Sequence, residues 1–523
     1  LIMKKIIFLL LFLPFYSCND WLDVESEISV TYRNYFQSES DLEKILVTMF
    51  GSEKNILAYG GRYLDYVGLP CDYPSTYTKP YQELNYETFW SKGCDNFMSW
   101  STYYATIYMA NFLRDNQYRI KNIPKERVNY WMAQANFIKG LMYFKIAQHW
   151  GEAPIAPGSE EAEARAKSPV DTVLAEAIRC AKAALILPPH DKLTDANGAA
   201  ITSRQYASLG SVHTLLANIY AWMGGLYDKE EFWKKAEQEA SLVIEGKAGF
   251  YDLENNISLL IQNTLGKARA TKEVIFSIEV NEQDDRWYDI ANLELRYPGT
   301  LLINYPYTET DPRKINNALR EERISVNAVK QLFPDPEDQR RKEYWYKLGE
   351  ELTIEGEETP FKPRFAYINK WRDAVKTTNP VFIMQNIGVI AMDGNRIIWR
   401  LADLILLRAE CRAHLGMTTE ALKDLDRIRD RAGLKGYTGA TNKTSLLKEI
   451  FHERERELFG EGERYFDIVR NRTFREKLRG KFKTLSDQDV KDGALFFPIS
   501  FDAFQNNTKM TQNIYWKRNG FAI

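Results

Sequence analysis

Two kinds of stretch in this chain hold side chains able to do chemistry. The first is HERERELFGEGER (452–464), where Glu and Arg crowd together. Two carboxyls placed across a glycosidic bond could act as acid and as base or nucleophile. Nothing in the spacing picks out such a pair, whereas Glu and Arg three and four residues apart form ion pairs along a helix or anchor its ends. The ion-pair reading is therefore the one adopted. No Gly-x-Ser-x-Gly elbow, His-Glu-x-x-His helix or phosphate-cradling loop occurs. The five histidines are scattered and no Cys-x-x-Cys occurs, so no zinc site is indicated. Asp-rich loops raise the question of calcium, but EF-hand spacing is absent. Neither a catalytic activity nor a cofactor is expected.

The second kind suits binding. A sugar ring offers flat C–H faces to aromatic side chains and a ring of hydroxyls to Asn, Asp and Arg. Residues 73–96 and 284–307 combine both types within loop-like sequence. Trp90 and Trp287 are the first candidates for platforms, followed by Tyr77 and Tyr297, with Asn96 and Arg286 as polar partners. The competing account of each is packing within its loop or against a neighbouring lobe. The chain holds 30 Tyr, 27 Phe and 12 Trp, more than a helical core needs to absorb.

These loops need a scaffold, and the sequence reads as mainly α. Its organising stretch is 396–472, read as helical from its start. Leu401, Leu404, Ile405 and Ala409 line one helical face before Gly416 stops it. Thr418 and Thr419 offer an N-cap to the next helix, with Glu420 in its first turn, Ala421, Leu425 and Ile428 on one face, and Gly433 at its end. A third helix turns Leu447, Phe451 and Leu458 inward. Helix, turn and helix with small residues at the crossings is the pattern of tetratricopeptide-like stacking. Leu216–Ile244 repeats the logic of Leu407–Ile428, and helices at 97–117, 125–149, 170–187 and 203–223 bring the count to about four pairs. A shorter helix is expected at 41–51. Between the two repeat regions lie roughly 150 residues without repeat character, with strand candidates at 274–280 and 365–371 and a short helix in RISVNAVKQLF. The expected division is repeats over about 97–245 and 396–472, and a loop-rich ligand lobe over about 60–96 and 250–395.

From Met3 the chain reads MKKIIFLLLFLPFYSC, two lysines before an apolar run too short to span a bilayer and ending at Ser17-Cys18. Residues 1–17 read as a lipoprotein signal peptide with Cys18 as the acylated residue, although Phe15 stands where such signals usually carry Leu. Its removal takes the formal charge from −2 to −4, since Lys4 and Lys5 leave with it, and such a balance gives no reason to expect nucleic acid. Cys180 and Cys411 lie on apolar helical faces and read as buried thiols. Cys71 and Cys94 share one loop-rich region of an exported chain, and spacing alone leaves a disulfide between them open.

Several of these segments carry a resemblance. RLADLILLRAEC, LGMTTEAL and HERERELFGEGERYFDIVR resemble the C-terminal signature of the SusD/RagB family, outer-membrane nutrient-binding lipoproteins of Bacteroidota. ANFIKGLMYFKIAQHWGEAPI (135–155) resembles that family's first helical pair and its Trp-Gly-x-x-Pro exit. EDQRRKEYWYK resembles its Asp-x-Arg element, and FFPIS with MTQNIYW (496–516) its closing elements. The resemblance implies a surface lipoprotein, anchored in the outer membrane and facing the exterior, that captures an oligo- or polysaccharide. It also implies delivery to a SusC-like TonB-dependent transporter, with ligand contacts in the loops before the first repeat helix and in the insertion. Two rivals stand beside it: an oligopeptide-binding member of the same family, and a helical-repeat adaptor that binds no nutrient.

Overall fold

Apolar residues at helical spacing build most of this computed structural model, which describes residues 36–59, 67–76, 79–85, 98–161, 163–279, 305–307, 309–317, 322–376, 389–505 and 507–521. Leu42, Ile45, Leu46 and Met49 are fully buried on helix α1 (Glu39–Tyr59). That helix runs past Gly51, which stands in open space and does not end it as the shorter expected helix requires. Helix α1 packs on α2 (Ser101–Asp115) and on α3 (Lys125–His149). The third helix is buried around most of its circumference, as a helix apolar on all sides must be. Even Lys139 is enclosed there, donating to Asn111 Oδ1 at 2.7 Å beside Glu176. Helix α4 (Val170–Ala183) covers the far side of α3, and Gly140 brings the two backbones together: a Cβ there would stand 3.1 Å from the Ala177 carbonyl. Helices α5 (Leu209–Tyr227) and α6 (Glu230–Ile244) form the next pair, with α5 also against α4.

The chain then leaves the repeat and returns to it. Strand β1 (Val274–Ile278) is buried at every position, as its run of apolar residues predicts. The insertion also contains α7 (Val326–Leu332), α8 (Gln339–Glu343), the short antiparallel pair β2 (Trp345–Tyr346) with β3 (Tyr367–Ile368), and the pair β4 (Ala374–Lys376) with β5 (Val389–Met392). Strand β6 (Arg396–Arg400) pairs antiparallel with β1. This corrects the reading of 396–400 as helix: the β-branched and aromatic run Ile397, Ile398, Trp399 finds a partner strand, and Leu401 N–H donates to the Glu273 carbonyl at 2.8 Å as helix α9 (Leu401–His414) begins.

Helix α9 lies against α6, so the repeat is continuous in space although the insertion interrupts it in sequence. It also packs on α10 (Thr418–Arg431) and α11 (Lys443–Glu457). Gly416 and Gly433 take positive φ at the two turns, as expected. Thr418 and Thr419 do not cap α10; they lie inside its first turn, after Met417. On α11 the fully buried leucine is Leu446, with its neighbour Leu447 only half-buried. Helix α12 (Arg464–Arg470) crosses α5 where Gly225 faces the Arg470 backbone.

The last segment staples this arrangement. Gln512 Nε2 donates to the Ile499 carbonyl at 2.9 Å and Ile499 N–H returns to Gln512 Oε1 at 2.8 Å. Phe497 N–H donates to the His149 carbonyl at 2.7 Å, and Asn513 Nδ2 lies 3.4 Å from the Trp150 carbonyl. The closing Phe-Pro-Ile and Gln-Asn elements thus meet the Trp-Gly exit of α3, where Gly151 at φ +74° leaves room for the Phe496 ring.

Candidate functional site

The six binding candidates, Tyr77, Trp90, Asn96, Arg286, Trp287 and Tyr297, lie outside the described residues, as does Cys18. The described part constrains them by elimination. Every tryptophan among the described residues, from Trp100 to Trp516, is buried. A tryptophan platform on this chain therefore falls to Trp21, Trp90 or Trp287. Cys71 is a free, buried thiol that donates to the Arg323 carbonyl at 2.6 Å; its proposed partner Cys94 lies outside the described residues. Cys180 and Cys411 are buried thiols, as read.

The Glu/Arg-rich helix α11 does form ion pairs, but they are interior rather than spread over a solvated face. Glu453 and Glu457 are fully buried, with Arg454 at 2% exposure. Arg400, at the end of β6, donates to Glu461 Oε2 at 2.8 Å, to Glu273 Oε1 at 2.8 Å and to Glu457 Oε1 at 2.6 Å. Arg431 of α10 joins the same pair of carboxylates, Glu273 and Glu457. Arg340 is clamped by Asp338 at 2.8 Å, Glu453 at 2.6 Å and Glu457 at 3.2 Å, which places the Asp-x-Arg element at the core. Lys370 completes the cluster through Glu461. Burial alone pushes the Glu457 carboxyl up, but Arg431, Arg400 and Arg340 together bring it far below the usual carboxylate range. Against burial, Arg400 and Lys370 bring Glu461 down to about 2. Burial brings Lys370 down to about 8 against the attraction of Glu461. These carboxylates are buried and held ionised by their cations, so they tie the insertion to the repeat helices and are not poised to protonate a leaving group.

A cleft of about 630 Å3 opens elsewhere, within the range of small-ligand sites. Three segments make its walls: residues 190–204 between α4 and α5, the turn 264–271, and the edges of β1 and β6. Arg204 Nη2 donates to the Thr271 carbonyl at 2.9 Å, and its guanidinium lies 5.0 Å from the centre of the Tyr251 ring. His190 Nε2 donates to the Ser203 carbonyl at 3.1 Å; burial and the Arg204 charge bring this imidazole down to about 4, so it is neutral at pH 7. Arg269 is paired with Asp393, and its Nε donates to Asn395 Oδ1 at 3.1 Å. Thr264 Oγ1 and Ser277 Oγ are buried without partners. Sequence reasoning missed this cleft because its residues come from three distant segments and none follows a motif. PPHDKLTDANG, which supplies His190 and Asp191, reads only as a helix breaker.

Two family models match the chain. One, described as the SusD family, covers residues 302–516; the other, described as starch-binding and associating with outer membrane, covers residues 20–204. The chain belongs to the SusD/RagB family. A SusD-like protein P25 of Formosa agariphila is 23% identical over 521 residues, 90% of each chain. Among solved structures, a SusD homologue of Bacteroides thetaiotaomicron is 22% identical with a TM-score of 0.72, over 92% of this chain and 98% of that one. The surface glycan-binding protein A of Bacteroides uniformis shares the fold at 16% identity and a TM-score of 0.65, over 91% of this chain and all of that one. Membership in this SusD family brings its general role: a non-enzymatic, carbohydrate-binding part in nutrient uptake, associated with the outer membrane.

Proposed function

We propose that this SusD/RagB protein is a lipoprotein anchored through Cys18 on the outside of the outer membrane, where it captures an oligo- or polysaccharide and passes it to a SusC-like TonB-dependent transporter. The helical repeats (about 97–245 and 396–472) supply the transporter-facing scaffold, and the loop-rich stretches (about 60–96 and 250–395) supply the ligand lobe. Trp90 and Trp287 stack on sugar faces, assisted by Tyr77 and Tyr297, while Asn96 and Arg286 bond the hydroxyl edges.

The observation that carries the glycan reading is the burial of every described tryptophan, on a chain whose two ends both match SusD models. With those rings committed to the core, Trp90 and Trp287 remain in the two stretches that combine aromatic and polar side chains. Calorimetry of the mature chain in detergent against a panel of polysaccharides and peptide mixtures tests it. Binding of one glycan, weakened at least ten-fold by Trp90→Ala or Trp287→Ala, is expected. Binding of peptides alone would transfer the protein to an oligopeptide role. Loss of acylation and of membrane association in Cys18→Ala tests the anchor, and co-purification of a transporter from outer membranes tests the partner.

A further inference from the structure

The cleft behind β1 holds an anomaly. Among the described residues, every other buried arginine, from Arg340 to Arg470, forms an ion pair with Asp or Glu. Arg204 forms none, although only 7% of it is exposed. Its Nη2 has the Thr271 carbonyl and its guanidinium lies against Tyr251, which with the more distant Asp191 offsets part of the cost of burial, while Nε and Nη1 have no acceptor in hydrogen-bond geometry. Asp191 and Glu279 also line the cleft, and neither makes an ion pair with it. A guanidinium withdrawn from water without a counter-charge destabilises a fold by several kcal/mol, so chains keep one only where something offsets the loss.

The surroundings say what that is. Thr264 Oγ1 and Ser277 Oγ, both 1% exposed, are further polar atoms without partners on the same walls. Hydroxyls donate as readily as they accept, so they suit oxygen atoms of either role. Val274, Ile201 and Ile397 give the cleft apolar patches between these groups. His190 is held neutral beside Arg204, and Arg269, the other arginine on the walls, is already paired with Asp393, which leaves Arg204 as the cleft's arginine without a carboxylate partner. Together these describe a pocket for a polar, hydroxyl-bearing ligand with one negative group.

Resting on the glycan-binding reading above, we infer that this cleft is a second saccharide subsite, selective for a sugar carrying a carboxylate or sulfate, with the anion on Arg204 and ring hydroxyls on Ser277 and Thr264. Such a subsite makes the protein prefer acidic glycans, whatever the aromatic loops contribute. The guanidinium matches both oxyanions through paired N–H groups, so the shared chemistry is a planar or tetrahedral oxyanion on a sugar.

The test is calorimetry of the mature chain in detergent with four probes: oligogalacturonides, sulfated galactan oligosaccharides, their neutral counterparts of equal length, and inorganic sulfate. One acidic oligosaccharide should bind at least ten-fold more tightly than its neutral counterpart. Arg204→Met should abolish that preference and leave neutral binding unchanged. Removal of an unpaired buried charge should also leave the ligand-free melting temperature equal or higher, which shows that the variant is folded. Ser277→Ala should weaken binding of the acidic probe several-fold while leaving it preferred over its neutral counterpart. Equal affinity for acidic and neutral probes, or undiminished acidic binding in Arg204→Met, overturns the acidic subsite and leaves glycan capture standing. Arg204-dependent binding of inorganic sulfate with no glycan bound overturns the saccharide assignment instead. The sulfated and carboxylated arms decide which oxyanion is carried.

Discussion

Replacing Arg400 by Met should destabilise this protein although it changes nothing on the surface. The guanidinium is 1% exposed and donates to three carboxylates, Glu273, Glu457 and Glu461, and to the Glu457 carbonyl at 2.9 Å. Methionine fills much of the same volume, so packing is nearly conserved and the effect isolates charge. Each carboxylate keeps at least one other cation: Arg431 for Glu273, Arg431 and Arg340 for Glu457, Lys370 for Glu461. Breaking a buried pair from one side costs about 3–5 kcal/mol. A chain of about 500 residues at about 2.1 cal/mol/K per residue unfolds with an entropy of about 1 kcal/mol/K, so Tm should fall by about 3–5 °C. Differential scanning calorimetry measures it.

The acid limb gives an independent check of the same idea. Glu461 is lowered from its ordinary 4.5 to about 2, worth about 3.5 kcal/mol at about 1.4 kcal/mol per pH unit. A depressed carboxylate contributes stability above pH 4.5 that is lost as pH falls toward 2, because the unfolded chain takes up the proton first. With Arg400 gone, that loss between pH 4.5 and 2 should shrink. A fall in Tm of less than about 1 °C, with an unchanged acid limb, would refute the view that this cluster joins the insertion to the repeat.

Glu53 poses the opposite case: both its carboxylate oxygens are buried without partners, and burial raises it from 4.5 to about 8. Such a group costs nothing below pH 4.5 and an increasing amount up to pH 8, about 5 kcal/mol in full. Glu53→Met should therefore raise Tm by several degrees at pH 8 and leave it little changed near pH 4.5, as paired thermal melts would show. Two glycines should respond with opposite signs. A Cβ on Gly225 would stand 2.3 Å from the Arg470 carbonyl, so Gly225→Ala should lower stability by about 1–3 kcal/mol by forcing α5 away from α12. Gly51, mid-helix and in open space, should gain about 0.5–1 kcal/mol as Ala, measured by urea unfolding.

Much of the scaffold was written locally. The helix read over 125–149 begins and ends at those residues because its apolar positions, its leading Pro124 and its trailing Gly151 all act within a turn or two of chain. Gly416 and Gly433 end their helices for the same local reason. Local preference gives way where a distant partner outweighs it. Ile397–Trp399 read as the start of a helix because the strand opposite it is more than 100 residues away. Helix α1 continues past Gly51 because Glu53 and Ile56 are buried where the helix packs beside α2 and α3, which nothing in the immediate neighbours of Gly51 reveals.

By itself, the sequence determined the family, the mainly helical repeat, its interruption and the aromatic-rich loops, since periodicity, turn residues and short ordered motifs are all properties of neighbouring positions. It also determined that Glu and Arg of 452–464 would pair. Only the tertiary structure decided where: those charges lie in the interior, across from Glu273, Arg340 and Arg400. Burial depends on what other segments cover, and a one-dimensional pattern does not carry that. For the same reason Arg204 is indistinguishable in sequence from its paired neighbours. Its lack of a counter-charge exists only once residues 190–204, the turn 264–271 and the β1–β6 edge are brought around one cleft.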